Sequence, residues 1–466
     1  MKLSNKKGTY SGLAFRYGMT NGFTTLLTTV ASTYWALFLT GAVGLETAVM
    51  ATILSISSAV DLISIPICGV ILQKVRISGG KWGVFRPWLL IGGIIAALCR
   101  WLSFTNLGLT GTGAAIWFGG TYILAYIGFN LAYSAFTGIL PLMAKDPADR
   151  VSFASARTTC NSVGKFVFSL TSVTLVSIFG QGNDARGYSC LAALIAALTV
   201  FGLTQLFFAA KPYDVVDSSA ASGNSTAGKK DQYSASFWEM LKFSITKPFI
   251  LYLMGSTCKG TIFFIITSLA PYYYSYVVGD RSMLTVYMSC STFLMIGGSF
   301  IAPYVSKLCK GSRNTFAFGV AIYGACLGIA YFSGANAVMF TIFLCVGYIG
   351  YSIAHAAEAA LYSCVVDYTQ WKHNRDLKPF MMTLFSLTPK IGTTVGSLVF
   401  GFGLVAIGFD QTNVTPAAAE GIRMLLSGLP AILAALSVVL MALCPLSDAK
   451  VKEMNAELQA RKAAGK

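Results

Sequence analysis

Asp61 and Glu358 are the only carboxylates deep inside the apolar stretches of this 466-residue chain, and Lys165, Lys259 and Lys390 share that setting. A charged side chain at the centre of an apolar span costs about 2.5–3.5 kcal/mol on insertion scales, so such residues mark a route for an ion, a proton or a charged ligand. A buried carboxylate can take a proton, share a cation or meet a lysine. His355 precedes Glu358 by three residues, the spacing that sets two side chains over one patch of a helix. Arg157, Asn161 and Lys165 follow one another at four-residue steps. The chemistry on offer is reversible binding of a proton or cation beside a polar or anionic ligand. The competing reading makes these charges salt bridges that only brace neighbouring helices.

Polar stripes accompany the ionisable groups. Ser57, Asp61, Ser64 and Cys68 recur at helical steps, as do Tyr126, Asn130, Tyr133 and Thr137. Asn21, Thr25, Thr28 and Ser32 form another set; Tyr351, His355, Glu358 and Tyr362 a fourth; and Ser386, Lys390, Thr393 and Ser397 a fifth. Each is one face of a helix whose other faces are apolar, the pattern expected around a wet cavity. A single Ser or Thr within a span bonds its own backbone at least as often as it meets a ligand.

The elements that must hold these stripes are membrane helices. The chain is 55% hydrophobic and 11% charged, with mean hydropathy +0.65, too little charge to cover a soluble protein of this size. Twelve apolar stretches, from Leu13–Gly41 to Ile422–Leu443, are each long enough to cross a bilayer. With both termini cytoplasmic, 27 of the 34 Lys and Arg fall on the inner side, and Arg100, Arg186, Arg281 and Arg423 fall outside. That asymmetry accounts for the net charge of +16 without a nucleic-acid partner. The basic start runs into a full-length span with no cleavage site, so no signal peptide is expected. Eleven scattered cysteines and two histidines suggest neither a disulfide framework nor a metal site, and no cofactor is expected.

The polar, Ser- and Gly-rich run after the sixth stretch divides the chain. Residues 1–210 and 241–446 are expected to form two six-helix halves, 211–240 a cytoplasmic linker, and 447–466 a solvated cytoplasmic tail. No sequence repeat relates the halves. The fold class expected is an all-α membrane protein with twelve transmembrane helices in a major facilitator fold of two pseudo-symmetric halves. No HExxH, no GxSxG and no acidic pair in a loop supports an enzyme. The linker and tail are too short for a signalling module.

Several motifs give the chain a family resemblance. RYGMTNG at Arg16–Gly22, VDLISIPICG at Val60–Gly69, KWGVFRPW at Lys81–Trp88, LPLMAKDPADRVSFASAR at Leu140–Arg157 and VVDYTQWK at Val365–Lys372 resemble segments of the glycoside–pentoside–hexuronide:cation symporters. The basic-aromatic loop is the most specific of these, and the matches span nearly the whole chain. The resemblance implies a sugar symporter of the cell membrane working by alternating access. It implies cation coupling at Asp61, with Ser57 and Ser64 beside it and Lys390 on the family's lysine of the eleventh helix. The second aspartate of the family pair is Ile65 here, which favours a proton over sodium. The two acids that hold sugar hydroxyls in the family fall on Thr25 and Tyr133, Arg157 matches an arginine near the sugar, and His355 stands where a tryptophan lines the substrate. With those acids absent and Lys165 and Lys259 added, an anionic uronide is expected over a neutral glycoside. Tyr126, Asn130, Asn161 and Glu358 complete the expected substrate set. The chain is expected to act as a monomer in the bilayer. A lysophospholipid carrier and an uncoupled or sodium-driven carrier of neutral sugars remain open alternatives.

Overall fold

The structure, a computed structural model, describes residues 7–75, 77, 82–143, 147–214, 242–333, 336–373, 381, 384–385, 387–411, 413–446, 450–451, 453–454 and 456–457. The chain divides into two compact units, Met1–Lys230 and Asp231–Lys466. Among the described residues all regular structure is helical.

The first unit holds α1 (Lys7–Val30), α2 (Thr47–Lys74), α3 (Arg86–Leu102), α4 (Gly111–Met143), α5 (Pro147–Gly180) and α6 (Asp184–Ala209). The second holds α7 (Lys247–Tyr272), α8 (Arg281–Leu308), α9 (Ser312–Phe332), α10 (Ala337–His373), α11 (Leu387–Ala406) and α12, which runs from Pro416–Arg423 through a π turn into Leu429–Ala442. Ten of these are long and apolar enough to cross a membrane. The other two are α1, which carries on as π turns to Val43, and α3, which is 17 residues long. At 1.5 Å per residue α3 spans about 25 Å, short of the hydrocarbon core by a few ångströms. Side chains such as Ile116, Phe300, Leu308 and Phe332 are 70–84% exposed, a lipid-facing surface that water would not tolerate.

Each unit is built on one packing plan. In the first, α3 and α2 pack on α4, α1 packs on α5, and α6 packs on α1 and α3. In the second, α9 and α8 pack on α10, α7 packs on α11, and α12 packs on α7 and α9. Lipid removes the hydrophobic drive between helices, so close approach through small residues must hold them. Gly92 of α3 and Gly128 of α4 face each other so closely that a Cβ on Gly92 would lie 2.9 Å from the Gly128 carbonyl oxygen. Gly319 of α9 and Gly350 of α10 repeat the contact, at 2.7 Å. The first helix of each unit ends in π turns closed by a left-handed glycine, Gly44 at φ 77° and Gly279 at φ 75°. The relation between the halves, invisible as sequence identity, is present in the backbone.

Two expectations about the ends of the units change. Asp214, assigned to the linker, is 1% exposed and accepts the backbone N–H groups of Val84, Phe85 and Arg86, each at 2.9 Å. Gly83, at φ 86°, lets the chain wrap this carboxylate, where a Cβ would fall 2.4 Å from Asp214 Oδ2. The described part of the WGVFRPW motif is thus an anchor between the start of α3 and the end of α6. The C-terminal tail, expected to be solvated, also packs: Met454 is fully buried, and Glu457 accepts from Trp371 Nε1 at 2.6 Å. Its carboxylate meets Trp371 at the end of α10, which the alternating charges did not reveal. Arg76, Lys81 and most of the segment from 144 to 155 lie outside the residues whose side chains are described.

Candidate functional site

In the first unit, α2 and α4 bring one polar stripe of each together. Asp61 is 7% exposed, and its Oδ1 accepts from Asn130 Nδ2 at 2.7 Å. Asn130 Nδ2 also reaches Ser64 Oγ at 2.7 Å, and Ser64 donates to the Asp61 carbonyl at 2.9 Å. Ser57, one turn before Asp61, is fully buried with no hydrogen-bond partner for its hydroxyl among the described residues. Asn130, expected on the substrate, therefore sits against the Asp61 carboxylate. One turn before Asn130 on α4, the Tyr126 hydroxyl lies 3.2 Å from that of Tyr122.

Arg100 was counted among the charges of the outer side. It lies inside α3, is 1% exposed, and sets its guanidinium 4.5 Å from the Tyr122 ring and 5.0 Å from the Tyr126 ring. Its long apolar stem lets the charge turn inward onto π faces instead of outward to water. No sequence pattern pointed to it.

The α5 row forms a second group in this unit. Arg157 donates through Nη2 to the Tyr133 hydroxyl, and the Tyr133 ring stacks on Phe129 at 5.6 Å. Asn161 Oδ1 is buried without a partner, and no carboxylate lies within ion-pair distance of Arg157 or Lys165 among the described residues. The row thus carries two cations and one unsatisfied amide oxygen along a rise of about 12 Å. Thr25, in contrast, donates to the Asn21 carbonyl of its own helix at 2.8 Å.

In the second unit α7 and α10 bury an ion pair. Lys259 Nζ is 2.5 Å from Glu358 Oε2, and Ser256 donates to Glu358 Oε1. Lys259 is 3% exposed and Glu358 7%. His355 Nδ1 lies 3.2 Å from Glu358 Oε2 and 3.3 Å from Lys259 Nζ, with its side chain 65% exposed. Its ring stacks on Tyr351 at 5.8 Å, and Tyr351 stacks on Phe263 at 4.8 Å. Lys259 was expected to offer its charge to a ligand; here Glu358 meets it. Lys390 lies on α11, where its carbonyl accepts from Thr393 and Thr394, each at 2.9 Å. It and Asp61 belong to different units.

The family described as MFS/sugar transport protein matches residues 16–448. Two bacterial relatives align over most of their length. The uncharacterized symporter YjmB of Bacillus subtilis is 27% identical over 87% of this chain and 85% of its own. A putative sulfoquinovose importer of Escherichia coli is 24% identical, over 91% and 88%. Among solved structures, an inward-facing bacterial homologue of the lysosomal transporter Spinster superposes with a TM-score of 0.71 at 14% identity, covering 96% of this chain and 99% of that one. The chain belongs to the MFS/sugar transport family. It is a multi-pass membrane transporter with the major facilitator fold and not an enzyme.

Proposed function

We propose that this member of the MFS/sugar transport family imports an anionic sugar, a uronide or a sugar acid of similar size, together with a proton. The observation that carries the substrate class is the α5 row. Among the described residues no carboxylate meets Arg157 or Lys165, and the Asn161 amide oxygen between them has no partner. A carboxylate or sulfonate satisfies the two cations, and a sugar hydroxyl satisfies the amide. Sulfoquinovose, named for one relative, is an anionic sugar of this kind.

The arrangement around Asp61 supports a proton as the coupling ion. A hard cation asks for about six oxygen ligands. Here the Asn130 amide turns its N–H toward the carboxylate, Ser64 directs its hydroxyl to a backbone carbonyl, and Ile65 occupies the next turn. Together they leave few oxygens free to converge on a sodium ion. The inward bias of Lys and Arg supports a cell-membrane protein with cytoplasmic termini. The proposed α5 row lies on one helix of one chain, in keeping with a monomer.

The test is uptake of p-nitrophenyl β-D-glucuronide and of the matching neutral glucoside into proteoliposomes, under a proton gradient and then under a sodium gradient. Accumulation of the glucuronide with protons alone is expected. Lys165→Met should remove glucuronide uptake, and Asp61→Asn should leave exchange while removing accumulation. Accumulation of the glucoside would reject the anionic substrate, and drive by sodium alone would reject the proton.

A further inference from the structure

The joint between α8 and α9 carries charge that the transport reading leaves unused. Lys307 lies in the last turn of α8, Lys310 in the connecting turn, and Arg313 in the first turn of α9. Among the described residues none of the three meets a carboxylate. Arg313 is held instead by neutral oxygens. Its Nη1 donates to the Cys444 carbonyl at 2.6 Å, and its Nε and Nη2 donate to Asn314 Oδ1 at 3.2 and 3.1 Å. Asn314 is anchored in turn, its Nδ2 donating to the Cys309 carbonyl at 3.1 Å. These bonds fix the guanidinium plane without cancelling its charge, and they leave one N–H on each terminal nitrogen unspent.

A cavity of about 60 Å³ opens beside this group. Lys310, Ser312, Arg313 and Asn314 form its polar wall, and Leu361 of α10 and Leu446 beyond α12 face them. At about 15 Å³ for each water-sized sphere it has room for about four, enough for a phosphate group. Its place in the fold narrows the source of such a group. Both α8 and α9 are long and apolar enough to cross a membrane, so their joint lies where hydrocarbon gives way to headgroups. Leu308, two residues before Lys310, is 84% exposed, which brings lipid-facing surface up to the turn itself.

We propose that this cavity binds the phosphate of an anionic phospholipid, held by the Lys310 ammonium and the Arg313 guanidinium with the Ser312 hydroxyl beside them. A phosphate diester accepts charge-assisted hydrogen bonds from both cations. A zwitterionic lipid brings its own ammonium against the same basic wall and is disfavoured. A soluble phosphate ester carries the same group but lacks the acyl chains that keep a lipid at this depth. The bound headgroup ties the α8–α9 turn to α10 and to the chain after α12, all within the second unit.

The experiment uses the full chain, stripped of lipid in a neutral detergent, with phosphatidylglycerol, phosphatidylethanolamine and glycerol 3-phosphate as probes. Native mass spectrometry reads binding, and one phosphatidylglycerol should remain bound in preference to phosphatidylethanolamine. Lys310→Gln should raise its Kd about tenfold, the usual worth of a hydrogen bond to a charged group. Lys307→Gln removes the same charge one turn away, outside the cavity wall, and should raise Kd less than about threefold. The second measurement leaves every side chain in place. The Cys364 thiol lines the cavity. Phosphatidylglycerol should slow its alkylation by N-ethylmaleimide several-fold, read by peptide mass, while phosphatidylethanolamine should not. Equal losses for Lys307→Gln and Lys310→Gln would reduce the effect to general surface charge and overturn the proposal. Alkylation of Cys364 indifferent to phosphatidylglycerol overturns it as well. Equal protection by glycerol 3-phosphate overturns the lipid as the source and assigns the cavity to a soluble phosphate ester.

Discussion

The two halves share a frame and differ in what they bury. In each, the third helix meets the fourth through a glycine pair, and the first helix ends in π turns at a left-handed glycine. On that common backbone the first half sets Asp61 against a neutral amide and two hydroxyl-bearing residues. The second half sets Glu358 against an ammonium. A carboxylate beside a neutral amide leaves that amide uncharged when its own charge changes. A carboxylate locked to a lysine resists such a change, because losing either charge leaves the other uncompensated in a low-dielectric setting. The frame is common to both halves, while the polar filling differs: an acid held by an amide in one and a fixed, neutral ion pair in the other.

The largest test of this division is to remove one member of each cluster. Lys259→Met leaves Glu358 buried without its cation and should cost about 3–5 kcal/mol, enough to lose folded protein. Lys259→Met combined with Glu358→Gln should recover most of that stability. Asp61→Asn, which keeps shape and hydrogen bonding to Asn130, should change it by less than about 1 kcal/mol. Thermal unfolding of the purified chains in detergent reads all three. Equal losses for Lys259→Met and Asp61→Asn would erase the contrast.

The shared frame can be tested by the same substitution twice. Gly128→Ala and Gly350→Ala each put a methyl within 2.8 Å of a facing backbone oxygen. Both should destabilise by about 1–3 kcal/mol. A large loss in one half and none in the other would mean that the helix pair carries load in only one of them.

These comparisons also show what could be read from residues alone. Apolar stretches and inward positive charge gave the helices, because the bilayer imposes length and charge rules on any sequence. The His355–Glu358 pairing was legible, since three residues along a helix guarantee proximity. The partners across helices were not. Asn130 and Lys259 are 69 and 99 residues from the carboxylates they meet, and nothing in a stripe says which facing stripe it will touch. The repeat escaped notice because lipid accepts almost any apolar side chain, leaving only scattered glycines under steric constraint. The burial of Arg100 and Asp214 was not legible because a charge near the end of a span is read as solvated by default, and both are buried.

A smaller contrast lies at two anchors near the ends of the units. Asp214 accepts three backbone N–H groups in the first half, while Glu457 accepts one indole N–H in the second. Asp214→Ala should cost about 2–4 kcal/mol, since several donors lose their acceptor together, and Glu457→Ala about 1 kcal/mol. Limited proteolysis after α6 and in the tail distinguishes the two: the first substitution should open the loop before α3 to cleavage, and the second should release only the tail.

The smallest expected effect compares two equivalent helix starts. Asn183 caps α6 by accepting the Arg186 N–H, and Thr415 caps α12 by accepting the Ala418 N–H. Each satisfies one of the donors that a helix start leaves open, and alanine at either position should cost about 1 kcal/mol. The two helices occupy matching places in the packing plan, α6 on α1 and α3, α12 on α7 and α9. Their caps use different side chains for the same bond. If Asn183→Ala and Thr415→Ala lower the melting temperature equally, the frame is matched down to its helix ends. If only one does, the other start is held by the packing of its helix, and the likeness of the halves stops at the interhelical contacts.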